Sequence, residues 1–117
     1  MAGRARGGAA RECGLMPSVE QLQKFIALNP KEPFPRYGLA LELKNQQRNA
    51  EALEVFAALQ ADHPAYVPQY LHHANMLQAV GRTADARAVV EAGIAAATKA
   101  GDGHARGELE GLLASLG

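Results

Sequence analysis

The sequence has few of the residues that cross-link small domains or fill the sheets of β-proteins. Cys13 is the single cysteine among 117 residues, so the chain contains no internal disulfide and no zinc site built from thiolates alone. Tryptophan is absent, and aromatic residues make up only 5% of the chain. Because strands favour aromatic and β-branched residues whereas Ala and Leu are the most frequent residues here, the composition indicates helix.

Neither sign of charge is in excess, because 12 lysines and arginines balance 12 aspartates and glutamates. This balance argues against a nucleic-acid or anionic-membrane partner. No apolar run approaches the roughly 18 residues that a membrane-spanning helix needs. We therefore expect no nucleic acid and no membrane among the partners, and a cytoplasmic location, where a lone thiol stays reduced.

The first 17 residues, MAGRARGGAARECGLMP, differ from the rest in carrying three arginines and four glycines. They contain too few large apolar side chains to dock on a core, so residues 1–17 are expected to form a disordered tail. Two alternatives stay open: a basic tail that contacts an acidic surface, and a translation start at Met16. Residues 18–117 are expected to form one helical domain.

A period of 34 residues runs through this domain. Placing residues 18–51 above 52–85 aligns a proline pair, a leucine pair and two series of three. These matches are Pro30 with Pro64, Leu43 with Leu77, the series Leu22, Phe56 and Val90, and the series Phe25, Leu59 and Gly93. A fixed period of this length is typical of repeat architectures, in which one supersecondary unit recurs.

Six helices are predicted from apolar stripes with helical spacing and from residues that begin or end helices. Ser18 and Gln21 have the spacing of a capping box, and Pro68 is suited to a first helical turn. The N-caps expected for the third, fifth and sixth helices are Asn49, Thr83 and Asp102. Connections of two to six residues predict that neighbouring helices pack antiparallel.

Gly93 falls inside the predicted fifth helix, where glycine costs about 1 kcal/mol relative to alanine. A glycine at such a position indicates that a neighbouring helix approaches too closely for a larger side chain. We therefore expect substitution of Gly93 by a large residue to be destabilising.

A helix–turn–helix unit of 34 residues resembles the tetratricopeptide repeat (TPR). Residues 33–66 and 67–98 match two full repeats, 18–30 the second helix of an incomplete first repeat, and 103–116 a capping helix. Four positions depart from the family pattern: Arg36 stands where a bulky apolar residue is usual, Gln47 replaces the turn glycine that Gly81 provides, Val90 replaces an aromatic residue, and Thr98 replaces the closing proline. The resemblance implies an all-α, TPR-like α-solenoid with two full repeats, a leading half-repeat and a C-terminal capping helix.

By the same resemblance, the first helix of each repeat lines a concave surface that holds a peptide or a helix of a partner protein. This predicts a non-catalytic adaptor or scaffold whose groove residues lie on the exposed faces of two helices. They are Tyr37, Leu41, Lys44, Asn45, Leu71, His72, Asn75 and Gln78. In the alternative packing, the terminal helices cover Tyr37, Leu41 and Leu71, and no groove is open. The second function that stays open is a self-associating module, a homodimer without a peptide ligand.

One TPR subtype grips acidic chaperone tails with a clamp of lysine, asparagine and arginine. In this chain Tyr37, Leu41 and His72 occupy three of the positions of that clamp. The resemblance therefore argues against chaperone-tail binding.

The stretch DHPAYVPQYLHH contains three histidines and raises the possibility of a metal-responsive module. His72 and His73 are adjacent on a helix, so their side chains diverge by about 100°. His63 lies nine residues earlier, before a proline, and metal-binding pairs on helices use i, i+3 or i+4. We therefore expect no metal and no cofactor. Phosphate-binding loops and nucleophile motifs are also absent from the sequence, so we expect no catalysis.

Overall fold

A computed structural model describes residues 18–116 and contains six α-helices in this part of the chain. Their bounds are α1 Val19–Leu28, α2 Pro33–Asn45, α3 Asn49–Asp62, α4 Pro68–Ala79, α5 Thr83–Ala100 and α6 Gly103–Ser115. Each helix packs against the next, and α6 also reaches back to α4. The all-α prediction is confirmed for these residues, whereas the tail predicted for residues 1–17 lies outside the described part. None of the described helices is long and apolar enough to cross a membrane.

Two of the predicted helix starts are confirmed by their capping bonds. The Ser18 hydroxyl accepts from the Gln21 backbone N–H at 3.1 Å, and the Gln21 side chain accepts from the Ser18 N–H at 2.9 Å. At α6 the Asp102 carboxylate accepts from the Ala105 N–H at 3.0 Å. These bonds satisfy N–H groups that the first helical turn leaves without intrahelical partners.

The N-caps predicted for α3 and α5 are wrong by one residue. Asn49 and Thr83 are the first helical residues, and neither cap position carries a side-chain capping bond. The cap positions belong to Arg48 and Arg82, whose side chains pair with carboxylates in the first helical turn. These carboxylates belong to Glu51 and Asp85, so the pair recurs with the 34-residue period.

The turn before each of these arginines adopts the left-handed conformation in both repeats. Gly81 has φ of 85° and Gln47, which replaces the family's glycine, has φ of 61°. This geometry lets the Arg48 N–H bond to the Leu43 carbonyl at 2.9 Å, as Arg82 bonds to Leu77 at 2.8 Å. The departure at position 47 therefore keeps the backbone turn, at the cost of roughly 1 kcal/mol that a non-glycine residue bears there.

The departure at Arg36 also has a structural explanation. In the second repeat the Tyr70 hydroxyl donates to the carbonyl of Pro64, the proline that closes the first repeat. Thirty-four residues earlier, the Arg36 guanidinium donates to the carbonyl of Pro30 at 3.0 Å and also pairs with Asp62. A long side chain thus closes each junction from equivalent positions, by a phenol in one repeat and a guanidinium in the other.

The core divides into two clusters, one for each end of the solenoid. The N-terminal cluster is buried between α1, α2 and α3, with Met76 reaching in from α4. The C-terminal cluster is buried between α4, α5 and α6, and Leu109 is its contribution from α6. Leu53 packs against both clusters. Such a division is expected when each repeat contacts only its neighbours.

Gly93 lies where α4, α5 and α6 meet most closely. A Cβ atom added there would stand 2.6 Å from the Tyr70 Cβ and 3.0 Å from the Leu109 Cδ1. The first distance is shorter than carbon atoms accept and the second is a very tight contact, so the close approach predicted from the sequence is confirmed.

Candidate functional site

The first helices of the two full repeats, α2 and α4, lie side by side and present one surface. Tyr37 on α2 and His72 on α4 make the contact, with ring centres 5.8 Å apart. The capping helix α6 continues this surface, because Ala105 and Glu108 border a cleft with Tyr37 and His72. We call the surface formed by these three helices the concave surface.

Aromatic rings form a row along this surface. The rings of Phe34 and Tyr37 lie 6.4 Å apart on one face of α2, and Tyr66 meets Tyr37 edge-on at 5.5 Å. Phe34 keeps 66% of its surface exposed, whereas Tyr37, Tyr66 and His72 are half-buried. The sequence interpretation missed Phe34 and Tyr66. The first could have been found from its i, i+3 spacing to Tyr37, but the second lies in a connection whose path only the fold defines.

The eight predicted groove residues differ in exposure. Leu41 packs partly on the N-terminal core cluster and Leu71 partly on the C-terminal cluster. Tyr37, Lys44 and His72 are half-buried, and the exposed members are Asn45, Asn75 and Gln78. Tyr37 also packs partly on the N-terminal cluster, so the three apolar residues that the alternative named are all partly buried, while Asn45, Asn75 and Gln78 remain exposed.

Two clefts open on the concave surface between these side chains. One, of about 200 Å³, is bordered by Tyr37, Leu71 and His72 on one side and by Glu108 on α6. The other, of about 130 Å³, lies between Lys44 and Asn75. Both are small compared with the roughly 300–1,000 Å³ of small-molecule sites, so the surface fits single side chains of a polypeptide better than a cofactor.

Burial sets the protonation of the ring groups on this surface. It lowers the pKa of His72, and the nearby Lys44 charge lowers it further, whereas Glu108 opposes the change. Burial raises the pKa of the Tyr37 and Tyr66 hydroxyls, so both stay protonated at neutral pH. The row therefore presents uncharged rings with hydrogen-bonding edges, flanked by one lysine and one glutamate.

His73 points away from the concave surface, as its position beside His72 on the helix predicts. Its ring stacks on Phe56 with centres 5.3 Å apart, and only 5% of the residue is exposed. Burial, followed by the charge of Arg82, lowers the pKa of His73 to about 4. Among residues 18–116, no group of three or more His, Cys, Asp or Glu side chains is arranged to hold a metal ion.

Solved structures of similar fold and sequence come from two bacteria. The tetratricopeptide repeat domain protein from Salinibacter ruber matches in its solution structure with a TM-score of 0.71 and 31% identity, over 75% of this chain and 89% of that one. The crystal structure of the same protein matches with a TM-score of 0.70 and 30% identity, over 73% of this chain and 96% of that one. The solution structure of a protein from Bordetella parapertussis matches with a TM-score of 0.71 and 26% identity, over 87% of this chain and 89% of that one.

One curated protein with a stated role is also similar in sequence. It is the cytochrome c-type biogenesis protein CycH from Rhizobium meliloti, 40% identical over 70 residues. The matched region is 58% of this chain and 18% of CycH, so the chain spans less than a fifth of that relative. No family model matches the chain.

Proposed function

Because the chain belongs to the tetratricopeptide repeat family, we propose that it is a non-catalytic interaction module that binds a peptide or helix of a partner protein on the concave surface. The observation that carries this proposal is the accessible row of Phe34, Tyr37, Tyr66 and His72. Aromatic side chains that are rigid and partly exposed are the usual anchors of protein interfaces.

Polar groups beside the row suit recognition of a polypeptide backbone. Asn75 is exposed next to the row, and an asparagine side chain can both donate to a backbone C=O and accept from an N–H. Lys44 and Glu108 both lie near His72 and offer one charge of each sign. We therefore propose a ligand segment with an apolar or aromatic side chain over the row and little net charge.

The prediction that tests this function uses Phe34→Ala combined with Asn75→Ala. Both side chains are exposed, so their loss should leave the fold intact, whereas Leu41 packs on the core and is less suitable for substitution. We expect a peptide selected from a random library on the wild-type protein to bind the variant at least about tenfold more weakly. Fluorescence anisotropy of the labelled peptide measures the change.

The matched control is Ala58→Glu, which changes an exposed residue of α3. It should leave peptide affinity unchanged, and circular dichroism should give the same helical signal for all three proteins. Undiminished affinity of the double variant would assign peptide binding to another surface and contradict the proposal.

The similarity to CycH favours a role in cytochrome c biogenesis. We propose that the partner is another protein of cytochrome c biogenesis, because the 70 matched residues are 40% identical to part of a protein of that process. Chromosomal replacement of Phe34 and Asn75 by alanine in the host should then lower the amount of c-type cytochromes, detected by staining for covalently bound haem. Wild-type amounts of c-type cytochromes would contradict a role in cytochrome c biogenesis while leaving the peptide-binding proposal untouched.

The cytoplasmic location predicted from the sequence stays a prediction.

A further inference from the structure

A second groove, on the side of the solenoid opposite the concave surface, runs between α3 and α5. It consists of two clefts of about 750 and 810 Å³ that join at Ala57 and His73, which border both. Small residues with helical spacing line much of its walls, alongside larger side chains such as Leu53 and Val89. They are Ala57 and Ala61 on α3, and Ala88, Ala92, Ala96 and Ala100 on α5, with Ala95 beside them. Small side chains on two neighbouring helices leave room for a third helix with bulky residues. We call this feature the alanine groove.

A buried polar atom lies close to the alanine groove. His73 lies between the two clefts with 5% of its surface exposed, and its Nδ1 atom has no hydrogen-bond partner among the described residues. A buried polar atom without a partner costs roughly 1–3 kcal/mol. Because this atom is enclosed by the protein, docking in the groove depends on shape and charge rather than on a bond to His73.

The chain itself carries a helix with the complementary shape. Phe25 and Leu28 on α1 are 50% and 77% exposed, although both are large and apolar. Together with Gln21 they form a stripe at i, i+4 and i+7, next to the buried stripe of α1. At the other end of the solenoid, exposed residues of α6 such as Arg106 and Glu110 are polar, as a capping helix requires.

Charges and length agree with an antiparallel arrangement of α1 in the alanine groove. Glu54 borders the end of the groove where α3 and α5 begin, beside Arg82 and Asp85, which pair with each other. Lys99 borders the opposite end. Glu20 lies at the start of α1 and Lys31 just after its end, so antiparallel docking places each charge near one of opposite sign. The wall from residue 88 to 100 is about 18 Å long, and the ten residues of α1 span about 15 Å.

We propose that the alanine groove binds α1 of a second copy of this protein, with Phe25 and Leu28 as its anchoring side chains. The contact is heterologous, because it joins two different surfaces, so each protomer retains one free α1 and one free groove. Self-association therefore proceeds head to tail and leaves the concave surface open.

Sedimentation velocity of the full chain tests the proposal. The average mass of the wild-type protein should rise beyond that of a dimer between low-micromolar and millimolar concentration. Phe25→Glu with Leu28→Glu, and separately Ala57→Glu with Ala95→Glu, should each weaken association by more than about tenfold, because each buries an unpaired charge at the contact. The controls Gln23→Glu on α1 and Ala58→Glu on α3 change exposed positions outside the contact and should associate like wild type.

Mixing the two defective variants distinguishes head-to-tail contact from other modes. The Ala57→Glu, Ala95→Glu protein keeps an intact α1, and the Phe25→Glu, Leu28→Glu protein keeps an intact groove. The mixture should therefore form a 1:1 dimer and nothing larger. A monomeric wild type at millimolar concentration, a defective variant that associates like wild type, or a mixture that stays monomeric would each overturn the proposal.

Discussion

Replacing Gly93 by leucine is expected to lower the melting temperature by more than about 10 °C, the largest effect of a single substitution that this structure predicts. The side chain would begin 2.6 Å from the Tyr70 Cβ and 3.0 Å from the Leu109 Cδ1, where three helices meet. Neither neighbour can move away freely, because Tyr70 is buried and anchored to the Pro64 carbonyl and Leu109 is buried in the C-terminal cluster. Thermal unfolding followed by circular dichroism measures the loss.

A matched control separates this packing effect from helix propensity. Gly111 lies in α6 with open space where its Cβ would be, so Gly111→Leu should be neutral or stabilising by up to about 1 kcal/mol. Gly93→Ala should still destabilise, because even one methyl group meets Tyr70. Equal melting temperatures for wild type and Gly93→Leu would show that α4 and α6 do not approach α5 as described.

The second large effect is a loss of stability on mild acidification that depends on His73. Burial holds the pKa of this imidazole at about 4 in the folded protein, whereas an unfolded histidine titrates near 6.5. Between these two pH values the unfolded state binds a proton that the folded state does not. The free energy of unfolding is therefore highest above about pH 6.5 and falls as the pH drops towards 4. We expect the free energy of unfolding to fall by about 2–3 kcal/mol across this range. Urea unfolding at a series of pH values measures this change.

His73→Leu is the variant that isolates this effect, because it removes the titrating group and the buried Nδ1 atom while keeping an apolar contact with Phe56. The difference in unfolding free energy between wild type and variant should change by about 2–3 kcal/mol between pH 6.5 and pH 4. His104→Leu, at an exposed position on α6, should leave the wild-type pH dependence in place. Parallel curves for wild type and His73→Leu would contradict the assignment of His73.

Helix positions and their order were predictable because they follow from local rules. Apolar spacing, the Ser18 capping box, the Asp102 cap and the 34-residue offset each act over a few neighbouring residues or within one repeat. The caps assigned to Asn49 and Thr83 failed by one residue, since the arginines before them are held by carboxylates in the first helical turn. Propensity favours Asn and Thr over Arg at the cap position, so propensity alone pointed to the wrong residue by one position.

The resemblance to the repeat family assigned the predicted binding surface to α2 and α4, whereas part of the composition of this surface came only from the structure. The i, i+3 and i+4 positions of α2 and α4 identified Tyr37, His72 and Asn75, because faces of a helix follow from its period. The contribution of Tyr66 and of Glu108 on α6 depends on where a connection and a later helix cross the surface, which is a long-range property. For the same reason the sequence left open whether Tyr37, Leu41 and Leu71 are covered, and the structure shows them partly buried against the two core clusters.

The sequence by itself determined the repeat, the six helices and the close approach at Gly93, because these depend on periodicity and on the cost of glycine inside a helix. Only the tertiary structure decided that Arg36 takes the position that Tyr70 has in the next repeat. The two partners of its side chain, Pro30 and Asp62, lie at the ends of two different repeats, so local sequence does not show that they meet. It also decided that alanines of α3 and α5, unremarkable in the sequence, face each other across a groove. Two helices that are not consecutive in the chain are placed side by side by the stacking of repeats, and no local pattern carries that information.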